Sequence, residues 1–350
     1  MKILIVKLSA IGDVIHTLPA LNAIREYYPH AHITWLVEED AYGLIEGHAA
    51  LDRILVSKRK QWLTNLRNLS LTNSIKEAYQ FIKELRDTEY DLIIDFQALL
   101  KSGVLIGLSR GKRKIGFDRG MEHMEHSYLF LNERVPPVDM DNHAIIRNMM
   151  LLESVGINSK EIVFNLPVFD RDRARADDLI DQHGMKESKL LVAINPLAKW
   201  HTKLWHNSKF RELADTLIDR YDAGVVFTGS LADRGTIQDI MDGMKFKAAN
   251  LAGETNLKTL AAIYEKADFL VSTDTGPMHL AAAVNTPVVA IFGPTASWRT
   301  GPFGIGHQIV QAELECRPCF KRECETTVCM KEISVDQVLD SAVKIIKKEY

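Results

Sequence analysis

Short apolar runs alternate with amphipathic stretches along this chain, and the cycle runs through twice. In the first half, the runs at Ile3–Lys7, Ile33–Val37, Arg53–Val56, Leu92–Phe96 and Lys114–Gly116 read as strands. Helical periodicity separates them at Leu18–Tyr28, Ser74–Asp87, Ala98–Gly107 and Ala144–Val155. The second half restarts with strands at Leu190–Asn195, Gly224–Thr228, Phe269–Ser272 and Val288–Phe292. Its helices are predicted at Ser208–Tyr221, Leu231–Met241, Leu257–Lys266 and Met278–Val284, with a last amphipathic helix over Asp336–Lys348. Such alternation predicts parallel sheets flanked by helices, an α/β fold of two doubly wound, Rossmann-like lobes. Neither a short-period repeat nor a low-complexity tract is present, which argues against a solenoid or a long disordered arm.

At 350 residues the chain exceeds what one core usually supports. The expected division is a first domain over 1–168, a second over 169–335 and a terminal helix over 336–350, with the crossing near Phe164–Asp170 where Pro167 falls. Two similar lobes facing one another would leave a cleft, a favoured place for ligands. Apolar residues make up 46% and charged residues 25%, and no apolar run nears the ~20 residues that span a bilayer. The opening MKILIVKLSAIGD superficially resembles a signal peptide, but Asp13 interrupts it and strand-turn-helix explains it better, so a cytoplasmic location is expected.

A net charge of −3 argues against bulk nucleic-acid binding, yet the charge is uneven. Lys101, Arg110, Lys112, Arg113, Lys114 and Arg119 fall in one stretch opposed only by Asp118, and Lys58, Arg59 and Lys60 form a second run. Such runs are either a solvated face or a dock for an anionic acceptor or membrane surface.

Candidate chemistry gathers in loops after strands, where open α/β sheets carry ligands. In Ser272-Thr273-Asp274-Thr275-Gly276-Pro277-Met278-His279, an apolar strand enters a small polar turn that opens a helix. Hydroxyls, a flexible glycine and free helix N–H groups can converge there on one anion. Asp13, behind Gly12 and one turn before His16, is a lone carboxylate after the first strand: either a helix cap or a general base. One base suffices for inverting displacement when the leaving group is already acidic, as a nucleotide diphosphate is. Lys203, in the loop Asn195–Trp205, could neutralise charge on such a leaving group. Asp233, after the next strand, could approach ribose hydroxyls, although the spacing is not GxGxxG; P-loop and HExxH patterns are absent from the sequence. All four cysteines, Cys316, Cys319, Cys324 and Cys329, lie within fourteen residues. They could hold a structural zinc or iron–sulfur cluster, form paired or free thiols, or serve a redox role.

Taken together, KLSAIGDVIHTLPAL, NPLAKWHTKLW, STDTGPMHLAAA and TPVVAIFGPT resemble the ADP-heptose:lipopolysaccharide heptosyltransferases, inverting GT-B glycosyltransferases of family 9. The resemblance extends over nearly the whole chain and takes in the CxPCFKR-x-C segment. It implies an acceptor-binding first domain, a nucleotide-sugar-binding second domain with a cysteine-rich loop at 316–329, and a terminal helix packing back on the first. The donor would be ADP-heptose and the acceptor Kdo2-lipid A or its heptosylated form, met at the inner leaflet of the cytoplasmic membrane with no metal needed for catalysis. Asp13 would be the base and Lys203 the diphosphate partner. Thr202, Asp233, Asp274, Thr275, Gly276 and His279 would hold the donor, and Gly12, His16, Lys58, Arg59, Lys60, Lys101, Arg113 and Arg119 the acceptor. The stretch Val56–Trp62 looks more like the type that adds heptose to Kdo, whereas the cysteines are similar to the type that adds to heptose. A transferase using another nucleotide sugar, and a nonenzymatic sugar-nucleotide-binding protein, are the competing readings.

Overall fold

A computed structural model describes residues 1–67, 71–121, 125–159 and 161–348 and divides into two compact units, Met1–Pro167 and Val168–Tyr350. The first unit holds β1 (Lys2–Val6), β2 (His32–Glu38), β3 (Arg53–Ser57), β4 (Glu89–Asp95), β5 (Arg110–Phe117) and β6 (Glu133–Val135). The second holds β7 (Leu190–Asn195), β8 (Ala223–Phe227), β9 (Ala249–Asn250), β10 (Phe269–Thr273), β11 (Val288–Phe292) and β12 (Gln308–Gln311). Every pairing is parallel, in the orders β3-β2-β1-β4-β5-β6 and β9-β8-β7-β10-β11-β12. Both are the doubly wound 3-2-1-4-5-6 order, so each sheet reverses direction once, between β1 and β4 and between β7 and β10. Loops leaving those strand ends splay apart and open a crevice.

The connections of the first unit are α1 (Ile11–Ile15), α2 (Leu18–Tyr27), α3 (Glu39–Ile45), α4 (Arg59–Arg67), α5 (Leu71–Arg86), α6 (Leu100–Leu108) and α7 (Ala144–Glu153). Those of the second are α8 (Asp170–Gln182), α9 (Asn207–Tyr221), α10 (Arg234–Met241), α11 (Leu257–Lys266), α12 (Gly276–Ala283), α13 (Ser297–Thr300), α14 (Val328–Lys331) and α15 (Val335–Ile346). The central strands are continuous apolar runs because helices cover both faces of a parallel sheet. Ile3, Leu4, Ile5 and Val6 are fully buried, each burial contributing about 1.5–3 kcal/mol. Trp35, also fully buried, satisfies its indole by donating to the Lys7 carbonyl at 3.0 Å. Helix α6 starts two residues later than its apolar pattern suggests, because Ala98 takes a left-handed φ of 58° and the Ser102 hydroxyl accepts the Leu99 N–H at 3.2 Å.

The stripe Val335, Val338, Leu339, Ala342 and Ile345 of helix α15 is buried in the core of its own unit, where the helix packs on α9, β11 and β12. A reciprocal cap holds its start: Ser334 Oγ accepts the Gln337 N–H at 3.2 Å and Gln337 Oε1 accepts the Ser334 N–H at 2.8 Å. Among the described residues no helix is long and apolar enough to cross a membrane.

Candidate active site

At the reversal point of the first sheet, the loops after β1 and β4 enclose a cavity of about 260 Å³. Asp13, His16, Lys7, Gln97, Arg147 and Asn148 border it. Gln97 ties the two loops together, its Oε1 accepting the N–H groups of Leu8 at 2.9 Å and Ser9 at 3.0 Å. Asp13 does act as a cap, since its Oδ2 accepts the Ala10 N–H at 3.1 Å, yet its carboxylate still borders the cavity. Cap and base are therefore compatible: the helix fixes the carboxylate at the point where a substrate would meet it. His16 is buried, its carbonyl accepting Asn148 Nδ2 at 2.9 Å and its ring standing edge-on to His143 at 5.3 Å.

Two buried ionisable groups lie beside Asp13. Burial pushes the Asp95 carboxyl above its ordinary range, against the N–H groups of Gln97 and Ala98, each at 3.0 Å, and the Ser102 hydroxyl. Burial pushes the Lys7 ammonium below its ordinary range, opposed by the negative charges of Asp13 and Asp95. Neither group was singled out by sequence, because Lys7 reads as the end of a strand and its neighbours are 89 residues away.

The basic runs part company in the fold. Buried Glu38 gathers Lys101 at 3.0 Å, Arg59 at 3.4 Å and Lys60 at 3.9 Å, with Lys101 also donating to Ser9 Oγ at 2.6 Å. Lys58 borders a different pocket, beside Trp62 and Phe81. On β5, Arg113 forms a two-pronged pair with Glu133 at 2.7 and 2.8 Å, Lys112 pairs with Asp91 at 2.8 Å, and Lys114 donates to the Ile106 and Ser109 carbonyls. Arg113 is thus held by its neighbouring strand, and Arg119 lies exposed in the turn after β5.

The second sheet repeats the arrangement with different chemistry. Lys203, after β7, reaches the loop after β10 and pairs with Asp274 Oδ2 at 2.6 Å. The same oxygen accepts the Thr295 hydroxyl at 2.6 Å from the turn after β11. Their side chains are only 15% and 5% exposed, so the pair is strong and oriented. Asp274 thus fixes the position of the Lys203 ammonium. Thr275 is the N-cap residue of α12 and makes no side-chain cap bond; Gly276 and Pro277 open the helix, Met278 donates its N–H back to the Thr275 carbonyl at 3.1 Å, and His279 is buried one turn on. Trp200 stacks against two cations, Lys203 at 4.6 Å and Arg322 at 4.8 Å.

Asp233 closes a short 3₁₀ turn, its Oδ2 accepting both the N–H and the hydroxyl of Ser230 at 2.7 Å. Of the alternatives for the four cysteines, a structural metal finds no support in the structure. Among the described residues no group of three or more His, Cys, Asp or Glu side chains is arranged to hold a metal ion, and all four thiols are free. Cys316 is exposed, whereas Cys329 is buried and its thiol pushed up by desolvation; Cys324 is pulled down by the Thr326 hydroxyl. The segment is anchored instead by backbone and arginine: Cys319 and Phe320 donate to the Pro294 carbonyl at 2.9 Å, and Arg317 donates to the carbonyls of Gly293 and Ala312. Thr202 Oγ1 donates to the Lys321 carbonyl at 2.9 Å, so the cysteine-rich segment supports the Lys203 loop.

Residues 78–329 match the model of glycosyltransferase family 9 (heptosyltransferase). The chain is 31% identical over 329 residues to lipopolysaccharide heptosyltransferase 1 of Pseudomonas aeruginosa, covering 93% of this chain and 87% of that protein. It superposes on the E. coli heptosyltransferase WaaC with ADP at a TM-score of 0.77 and 25% identity, covering 100% and 99% of the two chains. The E. coli ADP-heptose lps heptosyltransferase II gives the same TM-score at 22% identity, over 100% and 99%. The fold is the GT-B fold of those structures.

Proposed function

The chain belongs to glycosyltransferase family 9, and on that premise we propose that it moves L-glycero-D-manno-heptose from ADP-heptose to the inner core of lipopolysaccharide, with Kdo2-lipid A as acceptor. The observation that carries the reading is the Lys203–Asp274 pair in the loops that lead into α12: a fixed cation and the positive end of a helix dipole lie in neighbouring loops, where a diphosphate would sit. Asp13 takes the proton of the acceptor hydroxyl, whose oxygen attacks the anomeric carbon of the heptose. The bond from that carbon to the β-phosphate oxygen breaks, ADP departs with its electron pair, and the configuration inverts. Lys203 and the positive end of the α12 dipole meet the charge that grows on ADP, strengthening toward the transition state. Thr202, Thr275, Gly276 and His279 line up with this donor role, while Gly12, His16, Lys58, Arg59, Lys60, Lys101 and Arg119 remain the acceptor-side candidates.

An acceptor of this class is anchored in the inner leaflet, so the protein would act at the cytoplasmic face of the membrane as a peripheral enzyme. Outward apolar side chains at Ile75 and Tyr79 on α5, and at Leu100, Val104 and Leu108 on α6, support that placement.

The test is ADP release from ADP-heptose with Kdo2-lipid A or its monoheptosylated form, with Asp13→Asn as control. Release with the first alone, reduced about 10²–10⁴-fold in the variant, is expected. Release only with the second would assign the heptosylated acceptor, and silence with both in protein that binds ADP would sink the sugar assignment.

A further inference from the structure

Lys203 is not a free cation. Its ammonium is matched by the Asp274 carboxylate at 2.6 Å and donates again to the Asp274 carbonyl at 3.3 Å, so the pair as a whole carries no net charge. A departing nucleoside diphosphate is multiply charged, and a cation already balanced by a buried carboxylate meets only part of that charge. A further positive group reaches the same loop from the cysteine-rich segment. The Arg322 guanidinium lies 4.8 Å from the centre of the Trp200 ring, the ring that also carries the Lys203 ammonium at 4.6 Å. Thr202, between Trp200 and Lys203, donates its hydroxyl to the Lys321 carbonyl at 2.9 Å, so the backbone next to Arg322 is fixed to the Lys203 loop. The other cations of the segment are engaged elsewhere. Arg317 directs its guanidinium at the carbonyls of Gly293, Ala312 and Thr295 and at the Gln311 side chain, and the charge of Lys321 acts on the Cys324 thiol. Arg322 is exposed and, among the described residues, makes no ion pair and donates no hydrogen bond, so its contact with Trp200 leaves its N–H donors open. A guanidinium resting on an aromatic ring keeps its edge donors available, and that fork is what grips phosphate oxygens.

We propose that Arg322, resting on Trp200 beside Lys203, is a second phosphate-binding residue of the donor site and supplies the net positive charge that the Lys203–Asp274 pair lacks. The inference rests on the transfer reading above and deepens it by adding a donor residue from outside the loops that follow the strands. It also gives the cysteine-rich segment a part in binding: the segment carries Arg322 to the donor, and its hold on Thr202 sets the distance between the two cations. Lys203 is oriented and balanced, whereas Arg322 is unbalanced, so the second cation contributes more to attracting the diphosphate than its exposed position suggests.

The experiment titrates the full-length protein calorimetrically with ADP and with AMP, which lacks the β-phosphate, and in parallel measures ADP release from ADP-heptose. Arg322→Gln is expected to weaken ADP at least about tenfold while changing AMP by less than about threefold. Arg322→Lys, which keeps the charge but not the fork, should recover part of the ADP loss. Lys321→Gln, one residue away, gauges the loss of any nearby positive charge and is expected to shift ADP by less than about twofold. Trp200→Leu, which removes the surface beneath Arg322, should also weaken ADP more than AMP. Wild-type ADP affinity in Arg322→Gln or in Trp200→Leu would overturn the proposal. So would equal losses on ADP and AMP, which mark a folding role, or an equal ADP loss in Lys321→Gln, which marks an unspecific field. The expected ADP pattern in protein that releases no ADP from ADP-heptose would overturn the heptose reading while leaving the phosphate subsite in place.

Discussion

Breaking the Lys203–Asp274 pair separates two accounts of the donor loop. The nitrogen and oxygen lie 2.6 Å apart with the side chains 15% and 5% exposed, so removing one partner strands the other in a poorly solvated place. Such a loss costs about 3–5 kcal/mol when a buried pair is broken. For a unit of this size each kcal/mol lowers the melting midpoint by about 2–4 °C, so Asp274→Asn and Lys203→Met should each melt roughly 6–20 °C below wild type. The double variant leaves no stranded charge and should be about as stable as either single one, so a double-mutant cycle read by differential scanning calorimetry should return a coupling as large as one single loss, about 3–5 kcal/mol. Calorimetric titration with ADP then tests the function of the pair. Lys203→Met removes a charge-assisted contact worth about 1.5–3 kcal/mol and should weaken ADP about 10- to 150-fold. Asp274→Asn removes a negative charge near the diphosphate, which alone would tighten binding; because the carboxylate aims Lys203, weakening is expected. Tighter ADP binding by Asp274→Asn together with unaltered binding by Lys203→Met would refute the view that this pair is the diphosphate anchor.

Three further outcomes follow from the geometry. Burial holds the His48 imidazole below its ordinary value while its Nδ1 accepts the Ala50 N–H at 3.1 Å. The unfolded chain therefore takes up that proton first, so stability is full above about pH 6.5 and falls as the pH drops toward the depressed folded value; His48→Asn should flatten this slope in urea titrations, with half-buried His307 acting in the same direction. Treatment with a chelator should leave the melting curve unchanged and release no stoichiometric zinc or iron, whereas a drop of several degrees would restore a metal to the cysteine segment. Gly103→Ala would place a Cβ 2.7 Å from Phe130 and 2.9 Å from the Ser127 backbone, lowering the urea midpoint by the equivalent of about 1–3 kcal/mol; an unshifted midpoint would mean that the contact between α6 and the 126–130 turn yields freely.

What could be read along the chain was what local pattern encodes. Continuous apolar runs gave the bounds of β7 and β11, and caps with periodicity gave α11, to the residue. The short edge strands β6, β9 and β12 were invisible, since two to four residues of mixed character carry no periodicity and pair only because a neighbour supplies the ladder. Helix α8, DRDRARADDLIDQ, shows so few apolar positions that its buried stripe of Ala176, Leu179 and Ile180 does not stand out. The same division holds for the candidate site. Asp13 and Lys203 sit just after strands in segments whose composition announces them, but the groups that shape their surroundings come from far along the chain, Gln97, Thr295 and Arg317 from distant loops and Arg147 from α7, and Lys7 hides at the end of a strand. The cysteines mislead for the opposite reason. They are close in sequence, yet the backbone between them wraps the Pro294 carbonyl and sends Cys329 into the core while Cys316 faces water.

The shared strand order of the two sheets has an evolutionary corollary. Each unit offers the same address, the loops after its first and fourth strands, but one address holds a carboxylate among cations and the other a lysine leashed to a carboxylate. Mutations that retune which sugar is accepted would then accumulate in one half of the gene, and those that retune which nucleotide is recognised in the other, with little cross-talk through a common core. Such a layout lets a lineage diversify its surface glycans by editing one half-gene while the other stays fixed, and it makes chimeras of related halves a natural starting point for engineering.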